Sequence, residues 1–321
     1  MKNNGALVIS LDFELIWGVF DTVSIDQKLE YFLNTRTVIP KMLDLFVQEN
    51  IHATWASVGM LFNKNWQEWR HNKPSNLPHY KNSNLSSYKF GETIELTKYN
   101  KLCFAPELIK MINQSKGQEI ATHTYSHYYC LEKTQEVKDF GDDLEKAISV
   151  SRDMGIELKS LVFPRNQIRK DYLKICYDLG IENVRSNPKS WYWNNTSKSD
   201  LSSKIARTAD AYINLGKKSY PISELVALEN LPLEQKASRF LRPVEGNAIL
   251  RKLKLDRIKS EMTIAAKSDE VYHLWWHPHN FGEKPVESLI DLSHIIKHYK
   301  FLEDKYEFRS LNMLELARTI I

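Results

Sequence analysis

Apolar and polar residues alternate along "ALVISLDFE", residues 6–14. Leu7, Ile9, Leu11 and Phe13 fall on one face, and Val8, Ser10, Asp12 and Glu14 on the other. This pattern predicts a strand over 6–13 whose apolar face packs on helices and whose two carboxylates emerge together at its C-terminal end. Short apolar runs recur at 51–62, 118–124, 158–164, 181–186 and 270–280, and each reads as a strand. Between them the spacing shifts to the helical period, at 38–50, 105–117, 142–155, 169–180 and 287–305. Gly117 and Gly155 stand where two of these helices stop.

Repeated strand–helix alternation implies parallel strands joined by crossover helices. With roughly seven such units the sheet can close into a TIM-like barrel, although an open doubly wound sheet carries the same periodicity. One α/β domain over 1–321 is expected. Two stretches break the rhythm. Residues 63–104 interleave Trp66, Trp69, Tyr80, Tyr88, Phe90 and Tyr99 with polar residues, and 187–262 holds a basic run from Arg239 to Lys259. In a barrel, such insertions belong to the loops around the active site. The aromatic stretch suits either stacking on sugar rings or a helical lid that packs its own rings inside.

Composition narrows the class. The chain has 321 residues, 42% hydrophobic and 26% charged, which is ordinary for a soluble globular protein. A net charge of +4 permits anionic ligands without pointing to nucleic acid. Cys103, Cys130 and Cys176 lack C-x-x-C spacing, so no disulfide framework or zinc knuckle is indicated. Asp12 and Glu14 interrupt the N-terminal apolar run, which argues against a signal peptide or a membrane span and makes a cytoplasmic location the expectation.

Two acids side by side at a buried strand end are costly unless a cation or a proton compensates them. His123 and His127 follow the strand at 118–124 with the H-x-x-x-H interval. The same interval occurs at His273/His277 and at His294/His298, so spacing alone marks nothing; the last pair lies in a charged helix and needs only a solvated face. What distinguishes His123/His127 is the acid pair that a barrel would bring to the same mouth. Two imidazoles and one carboxylate leave coordination positions open, the pattern of a catalytic metal site. Arg165 lies just past the strand at 158–163, and His277 and His279 follow that at 271–276, with Trp276 at its end.

These segments resemble the polysaccharide deacetylases, the NodB-type carbohydrate esterases. "GQEIATHTYSH" is similar to the family's His-Thr-x-x-x-His segment, and "HATWASVG" to its alanine–threonine strand. "SLDFE", "FPRNQ" and "WWHPHN" occupy its aspartate, arginine and late histidine motifs, in the family's order. The resemblance implies a distorted (β/α)7 barrel with long loop insertions, and hydrolysis of an N-acetyl group on a sugar with one divalent metal, zinc by preference. It further implies Glu14, His123 and His127 as metal ligands, Asp12 as base, Arg165 holding Asp12 ionised, and His277 as the acid on the leaving amine. Asp12 and Glu14 are separated by Phe13 where most members have adjacent aspartates, and Pro164 precedes Arg165 instead of following it. These departures mark a divergent member. No aspartate–tryptophan motif for orienting His277 stands out; Asp210 is the candidate.

For substrate contacts the sequence offers Arg239, Arg242, His279 and Trp276. The two arginines suit the phosphates of a nucleotide- or lipid-linked sugar near a membrane surface, or else a solvated helix face. Two other classes compete: a sugar-binding module of the same fold without activity, and a two-histidine, one-carboxylate iron oxygenase.

Overall fold

The computed structural model describes residues 4–95, 99–188, 190–193, 201–213 and 215–320. Its parallel strands follow from the alternating pattern: β1 (Ala6–Phe13), β2 (Ala53–Ser57), β3 (Gln118–Thr122), β4 (Ser160–Val162) and β5 (Asn183–Ser186) pair in sequence order. After β6 (Tyr220–Pro221), one segment carries both β7 (Leu233–Lys236) and β8 (Arg239–Phe240). β7 pairs with β5, while β8 pairs with β9 (Glu270–Trp276), which returns to β1. Counting β7 and β8 as one staggered strand, the ring closes with seven parallel members. The predicted (β/α)7 barrel is thus the observed one. β10 (Arg309–Leu311) adds to the start of β1, and β6 to the edge of β9.

Crossover helices cover the outside: α1 (Ile25–Gln48), then α2 (Trp66–His71), α3 (Ser87–Ile94) and α4 (Asn100–Cys103) within the aromatic insertion. They are followed by α5 (Pro106–Asn113), α6 (Val137–Arg152), α7 (Lys170–Asp178), α8 (Leu201–Ala209), α9 (Ala248–Lys267) and α10 (Pro285–Tyr306). α11 (Met313–Arg318) closes the chain. No helix among the described residues is long and apolar enough to cross a membrane.

The period-two pattern of β1 sorts its side chains as expected. Leu7, Ile9, Leu11 and Phe13 join the large core beneath the helices, and Val8 joins a smaller cluster with Ala56, Ala121, Val162, Leu233 and Val271. That second cluster is the barrel interior, and Met313, Leu316 and Ala317 of α11 plug it from below. The plug is aligned by polar contacts: Gln235 donates to the Met313 carbonyl (2.6 Å), and Glu119 accepts from Thr54 Oγ1 (2.6 Å) and Leu314 N (3.2 Å).

Several boundaries differ from the sequence expectation. α1 starts at Ile25, not at 38, and runs through Pro40, since an amphipathic face against the core outweighs one lost backbone hydrogen bond. Residues 187–262 are not an irregular insertion; they hold α8, β6, the closing strands β7 and β8, and α9. In 63–104, Trp66, Trp69, Tyr80 and Tyr88 are buried, so these rings pack inward and are not platforms for a ligand.

Leu316 is wholly buried in the barrel plug. Leu316→Ala is expected to lower the unfolding free energy by about 2–5 kcal/mol, the scale for truncating a core leucine, measured by urea denaturation; an unchanged midpoint would show that α11 is dispensable to the barrel.

Candidate active site

Asp12 is the last inward-facing residue of β1, and Glu14 opens the 3-10 turn Leu15–Gly18 that follows. Gly18 leaves the space the Glu14 carboxylate takes: a β-carbon there would lie 1.9 Å from Cδ of Glu14 and push the carboxylate aside. Both acids are buried.

His123 follows β3, and His127 lies one tight turn further on. Thr124 and His127 have φ of 61° and 56°, left-handed conformations that need outside support. Asp143 of α6 supplies it. Its carboxylate accepts from Tyr125 N (2.7 Å), from Ser126 N and from the Ser126 hydroxyl. Burial pushes the Asp143 pKa up to about 6 against the pull of these donors. Gly59, at the end of β2, lets the turn approach, since a β-carbon there would meet the Tyr125 ring at 2.6 Å.

Among the described residues, Glu14, His123 and His127 form a group whose ligand atoms all lie within 4.8 Å of one another. Glu14 Oε2 is 3.4 Å from His123 Nε2 and 3.1 Å from His127 Nε2. His123 Nδ1 lies 2.8 Å from the Val162 carbonyl, which can only accept, so Nδ1 carries the hydrogen. A neutral His123 therefore turns an Nε2 lone pair toward a carboxylate oxygen. Two acceptors facing each other in a buried pit call for a cation between them, and a metal fits this donor set. Glu14 is held well below the usual carboxylate range: burial opposes this, but the charge of His277 and the bond from His127 outweigh it. Burial lowers His127.

Asp12 has a different partner. Arg185, inward-facing on β5, grips it with a two-pronged pair, Nη1 to Oδ1 and Nη2 to Oδ2, both 2.7 Å. The same guanidinium donates to Ser10 Oγ (2.9 Å) and Asn166 Oδ1 (3.0 Å) and lies 4.3 Å from the Trp275 ring centroid. Burial works against ionising Asp12, yet the charge and the hydrogen bonds of Arg185 hold its carboxyl below the ordinary value. The guanidinium facing Asp12 is therefore that of Arg185, not of Arg165 as expected. Arg165, at φ 53° after Pro164, turns to Asp21 (2.6 Å) and stacks on Tyr129 (4.1 Å).

β9 completes the cluster. His277 Nε2 lies 3.8 Å from both Asp12 Oδ2 and Glu14 Oε1 and is partly open to solvent. His279 is buried and stacked on His277, its Nδ1 3.7 Å from Glu14 Oε1. Asn280 Nδ2, at 3.5 Å, is the polar group near His277 Nδ1; Asp210 pairs with Lys218 (3.0 Å) and Arg239 instead. Of the other expected substrate contacts, Trp276 points to the helix layer, stacked on Phe281, and its neighbour Trp275 faces the barrel mouth. Arg239 is buried, its charge matched by Glu261 (Nε to Oε2 2.6 Å), while Arg242 lies near Thr208 (3.3 Å). His298 bonds Thr263 (2.8 Å) far from this cluster, and His294 is exposed.

Fold and site together define a closed α/β barrel with an acid–histidine cluster at the C-terminal ends of its strands, where barrel enzymes do their chemistry. The chain belongs to the polysaccharide deacetylase family: the family model matches residues 12–184, which run from the end of β1 to the start of β5 and carry Asp12, Glu14, His123 and His127. Carbohydrate deacetylation is the general activity of that family. Solved structures show the same fold. A protein of Mycobacterium smegmatis described as a polysaccharide deacetylase is 11% identical with a TM-score of 0.59, over 100% of this chain and 92% of that one. One from Pseudomonas aeruginosa PAO1, described likewise, is 11% identical with a TM-score of 0.60, over 98% and 91%. Puue allantoinase is 10% identical with a TM-score of 0.55, over 99% and 90%. No curated protein matches the sequence.

Two outcomes follow from the geometry. Elemental analysis is expected to find about one divalent metal per chain, lost in His123→Ala and in His127→Ala but kept in His294→Ala; retention in both former variants would discard the ligand set. Arg185→Ala, which strands a buried Asp12, is expected to cost about 3–5 kcal/mol of stability, and Arg165→Ala, whose own side chain is partly exposed, clearly less, about 1 kcal/mol. Equal costs in urea titrations would contradict the pairing.

Proposed function

We propose that the chain hydrolyses the N-acetyl group of an amino sugar, with one divalent metal, zinc by the chemistry of the donors, held by Glu14, His123 and His127. The observation that supports this most is the separation of roles between the two acids. Asp12 is tied to Arg185 and stands outside the three-residue ligand group, while Glu14 is inside it.

A divalent ion bound there would supply a Lewis acid for the amide carbonyl and a water of lowered pKa. The chain's own residues do the proton work. Asp12, kept ionised by Arg185, takes a proton from the attacking water at its Oδ2 side. His277, 3.8 Å from that oxygen and open to the cleft, gives a proton to the amide nitrogen, which is a poor leaving group without it. Arg185 fixes the carboxylate plane through both prongs, so the base needs no rearrangement during reaction. His279, neutral because burial lowers its pKa to about 3, backs the ring of His277 by stacking. Arg165 holds Asp21 and Tyr129 at the rim instead of the base. The substrate is proposed to be an N-acetylated sugar of a surface polysaccharide or of its precursor.

Asp12→Asn should keep the metal and lower kcat by roughly 100-fold or more, the usual scale for losing a general base. Glu14→Gln should instead weaken metal affinity, with excess metal restoring part of the turnover. The opposite pattern would exchange the two roles. Full activity in both variants would sink the deacetylase mechanism, and sugar binding without acetate release by the metal-loaded chain would support the idle module.

A further inference from the structure

A cavity of about 410 Å³ opens beside His277, on the side of the barrel closed by β7 and β8. Its walls are aromatic. Phe240 and Trp275 stand with ring centroids 4.6 Å apart at 44°, and Trp193 meets Trp275 at 6.1 Å and 69°. The His277 ring packs edge-on against both, 5.5 Å from Phe240 and 5.7 Å from Trp275. Asp210, Ser238 and Arg239 line it too, and all three are buried. They are also fixed in place: Arg239 by Glu261, Asp210 by Lys218, and Ser238 by Oγ accepting from His273 N at 2.9 Å. Thr208, exposed, and Arg242, half-exposed, stand at the outer rim.

We propose that this cavity is the subsite for the amine-bearing sugar ring, and that it admits a single amino-sugar ring or a chain end, not an internal residue of a polymer. The inference rests on the deacetylase reading for the position of the amide. If His277 gives its proton to the leaving nitrogen, the ring bearing that nitrogen must lie against His277, and the space on that side is this cavity. Aromatic walls with a few fixed polar groups are the surfaces that hold a sugar, whose ring has apolar C–H faces and a hydroxylated edge. The volume lies at the low end of the roughly 300–1,000 Å³ that ligand pockets span, room for one or two rings. Among the described residues the floor is buried and ion-paired, Arg239 by Glu261 and Asp210 by Lys218, so a sugar chain enters this pocket by its end.

The test compares N-acetylglucosamine, its β-1,4-linked dimer and pentamer, and soluble glycol chitin on the metal-loaded enzyme, locating each lost acetyl by mass spectrometry. Loss is expected from the small saccharides and at one terminus of the pentamer; loss from internal residues would overturn the subsite while leaving the deacetylase reading intact. In parallel, saturation-transfer NMR with N-acetylglucosamine on the Asp12→Asn chain reads binding without turnover. Phe240→Ala and, separately, Trp193→Ala are expected to weaken that binding about tenfold, the scale of one lost aromatic contact, with metal content unchanged. Sugar binding with no acetate from any substrate would refute the deacetylase reading and keep the subsite. No binding, or binding unchanged in both aromatic variants, would refute the subsite.

Discussion

The site depends on one constraint: two carboxylates are buried side by side, Asp12 at the end of β1 and Glu14 just past it. Left uncompensated, each would cost several kcal/mol or take up a proton. The fold neutralises them differently. Asp12 lies deep enough to meet Arg185 across the barrel, and the planar guanidinium takes both of its oxygens. Glu14, past the strand end, faces imidazole nitrogens instead. Two like groups two residues apart thereby become chemically unlike, one a poised base and the other a ligand.

Much of this was legible because it is local. The β1 alternation put both acids on one face, and the His123-x-x-x-His127 turn lies within five residues. Arg185 was not read, although its signal was present. In "ENVRS", Val184 joins the outer core, so Asn183 and Arg185 must face the barrel interior. An arginine on the inner face of a closed parallel barrel is itself a sign of a buried acid nearby. Parity also separates the tryptophans of β9. His273, Trp275 and His277 face inward while Tyr272, Leu274 and Trp276 face the helices, so Trp276 could not have lined the mouth.

Other features are non-local and leave no trace in a window of sequence. Arg239 reads as a free cation until α9 brings Glu261 beside it, 22 residues away. The closing strand, "LEQKASRF", carries no apolar run, because its inward residues answer polar partners: Gln235 reaches Asn183 and Met313, and Ser238 reaches His273. Barrel closure therefore rests on hydrogen bonds between strands far apart in the chain, which hydrophobic patterning does not encode.

The aromatic insertion shows how a segment without catalytic residues can still serve the chemistry. Two of its rings pack on Trp17, three residues after Glu14, while Tyr80 packs on Tyr128 and Tyr129 beside the His127 turn. Trp66 and Phe90 meet the Trp17 ring edge-on at 6.5 and 5.9 Å, and Trp17 Nε1 donates to the Cys103 carbonyl at 2.7 Å. Leu15, at φ 45°, makes the bend between Glu14 and this anchor, and Gly18 leaves the carboxylate its space. The turn that aims Glu14 is thus clamped from outside the barrel by 63–104, as the turn that aims His127 is clamped by Asp143 of α6. Glu14 and His127 each sit in or beside a strained backbone turn, and in each case the support comes from an element that carries none of the three grouped residues. Precision at the cluster is therefore a property of the helical layer as much as of the strands.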